Sequence, residues 1–247
     1  MPASVDITPV RADLAPSGRL RVALNLANFL LISSNPPGGE ATGVAPDVGR
    51  ELARRLGVPV TFVPYALPGD LAAAASKDEW DVGLIGADPL RAAEIAFTAA
   101  YLEIPASYLV PAGSPIASIE EVDRPGVRIA VADKAAYDMY LRRTLKHATL
   151  ERAVGIDGSY DLFVAAKLDA LAGLGPRLVA DQARLPGSRI LKGQFTAVQQ
   201  AIGTPIARQV GAAYLRGFVE DIKKELVGNL IAKYQVRGVN VAPASTS

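Results

Sequence analysis

The strongest constraint on the fold is an alternation of strand-like and helix-like segments between residues 20 and 86. Residues 20–24 (LRVAL) predict a buried strand, and residues 44–57 predict a helix with apolar residues at every fourth position. Residues 58–65 alternate as a strand does, and residues 81–86 (DVGLIG) predict an apolar strand that ends in glycine. This β-α-β-α-β order is typical of a parallel sheet covered by helices.

The same alternation recurs in the second half of the chain. Residues 127–131 (VRIAV) and 169–174 (DALAGL) predict two further strands, and residues 135–145 and 176–184 predict helices. The sequence therefore predicts two βαβ-rich blocks and an α/β fold.

A return of the chain to the first block after residue 203 determines the expected domains. We expect a flexible polar leader over residues 1–19, a first lobe over 20–108 and 201–247, and a second lobe over 109–200. Ligands of open α/β sheets bind beyond the carboxyl ends of the strands, so the loops that follow the predicted strands are the places to search for a site.

The composition excludes several kinds of chemistry. The 247 residues include no cysteine and one histidine. The chain can therefore form no disulfide, thiolate metal site or multi-histidine metal centre, and it has no cysteine nucleophile. It also contains no phosphate-binding loop of the Walker type and no G-x-S-x-G motif. We expect no catalytic residues, no metal and no cofactor.

Charge and hydropathy restrict the partners and the location. The net charge is +1 and no run is rich in lysine and arginine, which argues against nucleic acid as a partner. No run approaches the roughly 18 apolar residues of a membrane span. The first twenty residues contain Asp6, Arg11 and Asp13 and no apolar block, which is not the pattern of a secretory signal peptide.

The most informative segment for a site is residues 81–97 (DVGLIGADPLRAAEIAF). Asp88 is a typical N-cap and Pro89 a typical first helical residue, so Arg91 is predicted in the first turn of a helix. A cation there is disfavoured by about 0.3–1 kcal/mol. One interpretation is an anion held by the guanidinium and the free helix N–H groups. The alternative is an exposed ion pair of Arg91 with Asp88 or Glu94.

Four segments, taken in order, resemble motifs of one family: residues 43–57, 80–82, 88–98 and 112–116. They are similar to its G-F-x-x-D-L…LG helix, its W/K-x-D strand entry, its T-x-x-R…F-S segment and the linker that starts its second lobe. Over about residues 20–236 the chain resembles the extracytoplasmic solute-binding proteins of amino-acid ABC transporters, which are family-3, type II periplasmic binding proteins.

The resemblance implies a fold, a location and a partner. The implied fold has two α/β lobes with a hinge and an interlobe cleft that closes on a small ligand. The implied location is periplasmic, although the chain shows no signal peptide, and the implied partner is an ABC permease. We expect a monomer that binds a small anionic or zwitterionic solute.

The resemblance also assigns a role to Arg91, which matches the arginine that clamps the ligand's α-carboxylate in the family. Two departures bear on the ligand. Where the family usually places Ser or Thr near this arginine, the chain has Gly86 and Asp88, which we keep as candidate ligand-binding residues. Where the family has an acid for the ligand's ammonium, the chain has residues 173–175 (GLG), with Glu103 as a possible substitute.

A buried ammonium without a counter-charge is costly. The expected ligand is therefore a small carboxylate, either an amino acid or a related organic acid.

Two more loops contribute candidate residues. After the first strand, Asn25 and Asn28 could hydrogen-bond a ligand and Phe29 could stack on it, at the position where the family offers an aromatic platform. The alternative is that Phe29 is ordinary core.

In the second lobe, Asp133, Lys134 and Tyr137 join a strand to a helix, where the family has an anion-contacting turn. Backbone N–H groups, the lysine charge and the tyrosine hydroxyl could all contact the ligand there. The alternative is that Asp133 is a plain N-cap.

Two other functions stay open. One is an enzyme similar to cyclohexadienyl dehydratase on the same scaffold, which would need Glu103 or Lys134 as its general acid or base. The other is a ligand-sensing protein that is never exported, which the missing signal peptide permits.

Overall fold

The structure is a computed structural model and describes residues 6–245. The chain divides into two compact units. Unit 1 comprises Met1–Leu102, Gln199–Val236 and Val241–Ser247, and unit 2 comprises Glu103–Val198 and Arg237–Asn240.

Helices and strands alternate along most of the described chain. In chain order they are α1 (Thr8–Leu14), β1 (Leu20–Asn25), α2 (Val44–Leu56), β2 (Val60–Tyr65), α3 (Pro68–Ala73), β3 (Val82–Gly86), β4 (Ile95–Val110), β5 (Arg128–Ala132), α4 (Ala136–Thr144), β6 (Thr149–Ala153), α5 (Gly155–Ala165), β7 (Ala170–Leu174), α6 (Gly175–Arg184), β8 (Arg189–Ile190), β9 (Thr196–Pro205), α7 (Gln209–Lys224), α8 (Leu226–Lys233) and β10 (Asn240–Val241). None of the helices between residues 6 and 245 is both long enough and apolar enough to cross a membrane.

The sheet of unit 1 has three parallel strands in the order β2-β1-β3, and β9 lies antiparallel beside β3. Val22 pairs with Val82, and Gly86 pairs with Gln200. A core cluster that includes Leu71, Trp80 and Ile85 packs on one face of this sheet. The parallel order arises because α2 and α3 connect successive strands, as the alternation in the sequence predicts.

The sheet of unit 2 is built in the same way. β5 lies between β6 and β7 and is parallel to both, while β7 and β8 pair antiparallel with β4. Its core includes Leu109, Phe163, Leu171 and Leu178, all of them buried. Both blocks that the sequence predicts are therefore α/β.

α2 shows why the sequence predicts the helix boundaries well. Its buried residues include Val44, Val48, Leu52 and Leu56, which form the predicted apolar stripe. The helix ends at Gly57, whose φ of 66° is left-handed, a conformation that glycine adopts without a Cβ clash.

The expectation of a flexible leader over residues 1–19 is wrong for the part of it that the structure describes, and residues 1–5 lie outside the described residues. α1 occupies this segment, and Leu14 is fully buried. A Cβ at Gly211 in α7 would overlap the side chain of Leu14, so the glycine makes room for the helix. The Gly211 N–H also donates to the carboxylate of Asp13 at 2.7 Å. The partner of α1 lies about 200 positions away in the sequence, which is why a local pattern did not reveal it.

Candidate functional site

Two loops of unit 1 come together because β1 and β3 are parallel neighbours. Leu24 pairs with Leu84, so both strands end at the same edge of the sheet. Six predicted site residues lie in or directly beside these two loops, namely Asn25, Asn28, Phe29, Gly86, Asp88 and Arg91. The structure therefore brings the six residues to one edge of unit 1.

The side chain of Arg91 is almost completely buried at this edge, with 7% of the residue exposed. One guanidinium nitrogen, Nη1, donates to the backbone carbonyl of Gly86 at 2.6 Å. Burial lowers the pKa of Arg91 to about 10, and the nearby carboxylate of Asp88 opposes this shift. The guanidinium is still charged at neutral pH, and it lies near the buried Asp88 carboxylate in a low-dielectric environment.

The prediction of a helix after Asp88 is wrong. The chain makes a single 3-10 turn at Arg91–Ala93 and enters strand β4 at Ile95. The Asp88 carboxylate accepts the N–H of Leu90 at 2.9 Å, and its backbone carbonyl accepts the N–H of Arg91 at 3.0 Å. Strand pairing outcompetes the local helix signal here, so the helix-dipole argument for an anion does not apply. The guanidinium of Arg91 can still bind an anion through charge-assisted hydrogen bonds.

The loop after β1 is held by Asn25. Its side-chain oxygen accepts the N–H of Ala27 at 3.2 Å, and its carbonyl accepts the N–H of Asn28 at 3.0 Å. This turn leaves Phe29 44% exposed, so Phe29 is not ordinary core. Asn28 is instead buried, with 6% of the residue exposed.

Gln200 lies at the same edge, and the sequence analysis missed it. It pairs with Gly86 in the register of β3 and β9, and 4% of it is exposed. The adjacent Gln199 carbonyl accepts the N–H of Ala87 at 2.7 Å. Two consecutive glutamines in the middle of a largely apolar strand are the sequence signal that could have identified this position.

Unpartnered polar atoms are concentrated in unit 1. Within residues 6–245, three buried side-chain oxygens have no hydrogen-bond partner: Asn28 Oδ1, Gln200 Oε1 and the hydroxyl of Tyr101. Tyr101 is fully buried in β4, and burial raises its pKa. Two of these three oxygens belong to residues at the edge that carries Arg91.

In unit 2, the turn of Asp133 and Lys134 is engaged in an ion-pair network. The Asp133 carboxylate accepts from Arg142 at 2.7 Å. Asp138 is fully buried and accepts the Lys134 N–H at 2.9 Å, together with Arg142 and Arg152 at 3.0 Å each. The residue at the N-cap of α4 is Ala135, so Asp133 is not the N-cap.

The three predicted residues of unit 2 differ in their surroundings. Lys134 has a left-handed φ of 59° and is exposed, whereas 3% of Tyr137 is exposed. Burial raises the pKa of Tyr137, and the charge of Arg177 opposes that shift. Asp133, Lys134 and Tyr137 are thus close in sequence but do not form one exposed group.

The segment after β7, where the resemblance implies an acid, carries a base instead. Arg177 in the first turn of α6 donates to Asp157 at 2.6 Å and to Asp181 at 2.9 Å. The charges of these two carboxylates are therefore compensated within unit 2. Glu103 is half-buried in β4.

A cavity of about 460 Å³ lies elsewhere in unit 1, between residues 35–41 and the strand β2. None of the predicted site residues lines it. Among residues 6–245, no group of three or more His, Asp or Glu side chains is placed to hold a metal ion.

The strand topology, together with comparisons with known proteins, defines a type II periplasmic binding protein fold. Residues 21–236 match the bacterial extracellular solute-binding proteins, family 3. The chain therefore belongs to this family, whose members bind solutes outside the cytoplasm. A comparison with curated proteins finds no match.

Solved structures with the same fold are distant in sequence. A mutant of ArgBP from T. maritima has a TM-score of 0.72 and 19% identity, over 92% of this chain and 99% of that chain. The substrate binding protein of an amino acid ABC transporter has a TM-score of 0.70 and 15% identity, over 88% and 99%. The ancestral amino acid-binding protein AncCDT-1, a precursor of cyclohexadienyl dehydratase, has a TM-score of 0.69 and 21% identity, over 90% and 97%.

Proposed function

We propose that this protein captures a small carboxylate-bearing solute for an ABC transporter, and that Arg91 holds the carboxylate. The observation that carries the proposal is the buried guanidinium of Arg91 at the carboxyl edge of the unit 1 sheet. Charge-assisted hydrogen bonds from a guanidinium are the geometry best suited to a carboxylate. Phe29, in the loop after β1 at the same edge of the sheet, is 44% exposed and offers an apolar surface to the ligand.

The ligand class, an amino acid or a related organic acid, is part of the same proposal. The arginine-binding and amino-acid-transporter proteins among the structures with this fold support it. Hinge closure on the ligand, a permease partner, a periplasmic location and a monomeric state are proposed from the family. The contribution of Asp133, Lys134 and Tyr137 to binding also stays a proposal.

Replacing Arg91 tests the proposed role directly. Amino acids and small carboxylates are first screened by thermal shift, because a ligand that binds the folded state raises the midpoint of unfolding. For a ligand found in this way, Arg91→Ala is expected to weaken binding by about 10- to 150-fold, the cost of losing a hydrogen bond to a charged group. Calorimetric titration measures the affinity.

The matched control is Arg216→Ala, which removes an exposed arginine of α7 in the same unit. It is expected to leave the affinity unchanged. An Arg91→Ala protein that keeps the wild-type folding midpoint and binds within about three-fold of wild type would show that Arg91 does not hold the ligand.

The alternative of a dehydratase draws on the kinship of the fold, since the ancestral amino acid-binding protein AncCDT-1 is described as a precursor of cyclohexadienyl dehydratase. Incubation of the protein with prephenate or arogenate distinguishes the two functions. Turnover that is lost in Glu103→Gln or Lys134→Ala would favour the enzyme. For the non-exported sensor, fractionation of native cells is decisive, because recovery only in the cytosol contradicts a transport role.

A further inference from the structure

Two buried amide side chains accompany Arg91 at the edge of the unit 1 sheet. In Asn28 and Gln200, 6% and 4% of the residue are exposed, respectively, and within residues 6–245 their side-chain oxygens have no hydrogen-bond partner. A buried acceptor without a donor is unfavourable, so such atoms in a folded protein need an explanation. Neither residue belongs to the ion-pair networks described above.

The pairing of β3 with β9 indicates which face Gln200 occupies. A Cβ at Gly83 would contact Leu71, and a Cβ at Gly203 would overlap Ile95, so this pair faces the cluster of α3. Side chains alternate along a strand, and directly opposed residues share a face. Gly86 and Gln200 therefore share the opposite face of the sheet.

Gly86 is the residue directly opposed to Gln200 on the neighbouring strand. Because Gly86 has no side chain, it does not cover the side-chain amide of Gln200. The carbonyl of the same Gly86 accepts the guanidinium of Arg91. Gln200 is therefore one strand away from the backbone group that orients Arg91. Asn28 follows β1, the next parallel strand along this edge.

We propose that Gln200 and Asn28 form a donor-selecting subsite, which accepts an N–H or O–H group carried by the ligand near the carboxylate bound by Arg91. This inference rests on the proposed function and deepens it. Both amide oxygens are neutral hydrogen-bond acceptors. A neutral acceptor pairs with either an ammonium or a hydroxyl, so the ligand class is a carboxylic acid with a hydrogen-bond donor at the adjacent carbon.

The experiment compares acids that differ only in that donor. Four sets, built on the carbon skeletons of leucine, phenylalanine, glutamate and arginine, each contain the 2-amino acid, the 2-hydroxy acid and the acid with neither group. Calorimetric titration of the full chain is expected to show the amino or hydroxy member binding at least about ten-fold more tightly than the plain acid. The amino and hydroxy members distinguish which donor the protein prefers.

Gln200→Leu is expected to reduce this ratio to within about three-fold, while the plain acid keeps its wild-type affinity. Gln200→Glu adds a negative charge and is expected to raise the preference for the amino over the hydroxy member by about ten-fold. The matched control is Gln209→Leu on the exposed surface of α7, which should change neither ratio. Circular dichroism and the folding midpoint identify any variant that fails to fold, and in that case Asn28→Asp provides the same comparison as Gln200→Glu.

The possible results separate the two proposals. If acids bind through Arg91 but the plain acid binds as tightly as the others, or if Gln200→Leu leaves the ratio unchanged, the donor-selecting subsite is wrong and the proposed function stands. If no member of any set binds, or if Arg91→Ala binds all members as wild type does, the proposed function fails and the subsite fails with it.

Discussion

The carboxylate of Asp81 is fully buried in unit 1 and joins parts of the chain that are far apart in sequence. It accepts the backbone N–H of Arg21 at 2.8 Å, and both Arg21 and Arg208 contact it with a guanidinium nitrogen at 2.8 Å. Arg91 is buried in the same unit, but its guanidinium lies at the edge of the sheet. Asp81 therefore holds distant segments of unit 1 together, whereas Arg91 is the residue that we propose to bind the ligand.

Removing the charge of Asp81 should be costly. Asp81→Asn leaves two arginines facing a neutral side chain, and breaking a buried ion pair typically costs about 3–5 kcal/mol of folding free energy. Urea denaturation monitored through Trp80 measures this loss. The control is Asp78→Asn, since Asp78 contacts the same two arginines but is largely exposed and should cost less than about 1 kcal/mol. Equal effects of the two substitutions would contradict this assignment.

At the scale of elements, α1 shows how a short amphipathic segment becomes ordered. Its residues Val10 and Leu14 are buried, and Arg11 donates to the carbonyl of Leu56 at 2.8 Å. α7 continues through Gly211 although glycine is a poor helix former. The contact with Leu14 explains why a glycine stands at this position.

The contact between α1 and α7 predicts a strong coupling between two substitutions. Gly211→Ala alone should destabilise by about 1–3 kcal/mol through overlap with Leu14, and Leu14→Ala alone by about 2–5 kcal/mol. In the Leu14→Ala background, Gly211→Ala should be neutral or stabilising, because alanine is the better helix former. A double-mutant cycle by urea denaturation measures the coupling.

The matched control is Gly217→Ala in the same helix, where an added Cβ has nothing within 4 Å. It should stabilise by about 0.5–1 kcal/mol. Additive effects of the Leu14 and Gly211 substitutions would show that α1 does not pack there.

At the scale of the whole molecule, many carboxylates are stabilised in their charged form. Hydrogen bonds from Arg54 and Arg55 lower the pKa of Glu51 from 4.5 to about 2 against the opposing effect of burial. Burial alone would raise the pKa of Asp47, but hydrogen bonds from Lys233, Tyr234 and Arg50 together outweigh it and lower that pKa. A carboxyl group whose pKa is lower in the folded than in the unfolded state stabilises the fold above its unfolded pKa. That contribution disappears as the pH falls through the folded pKa.

The midpoint of thermal unfolding should therefore fall as the pH is lowered from about 4.5 to about 2. Glu51→Gln should lower the midpoint at neutral pH, and the difference from wild type should shrink as the pH approaches 2 and vanish below it, once Glu51 is protonated in the folded state. Scanning calorimetry over this range measures both effects. A difference that persists undiminished at the acid end would mean that Glu51 stabilises the protein by packing and not by charge.

The class of the fold and the principal candidate of the site, Arg91, could be predicted from the amino-acid sequence. The order of strands and helices is a local property, because apolar periodicity and glycine caps depend on neighbouring residues, and α2 begins and ends almost as predicted. Parallel strands end at a common edge of a sheet, so the loops after β1 and β3 could be selected as candidate ligand-binding segments. The residues selected in this way were Asn25, Asn28, Phe29, Gly86, Asp88 and Arg91.

Contacts between distant parts of the chain determine which of these local signals the folded protein follows. Pairing of β4 replaced the helix predicted after Asp88, and α7 gave α1 a partner about 200 residues away. Gln200 reached the proposed site through strand register, since its antiparallel pairing with Gly86 depends on chain segments that are more than a hundred residues apart. Such pairings depend on long-range burial and hydrogen bonding, and these are absent from any local sequence window.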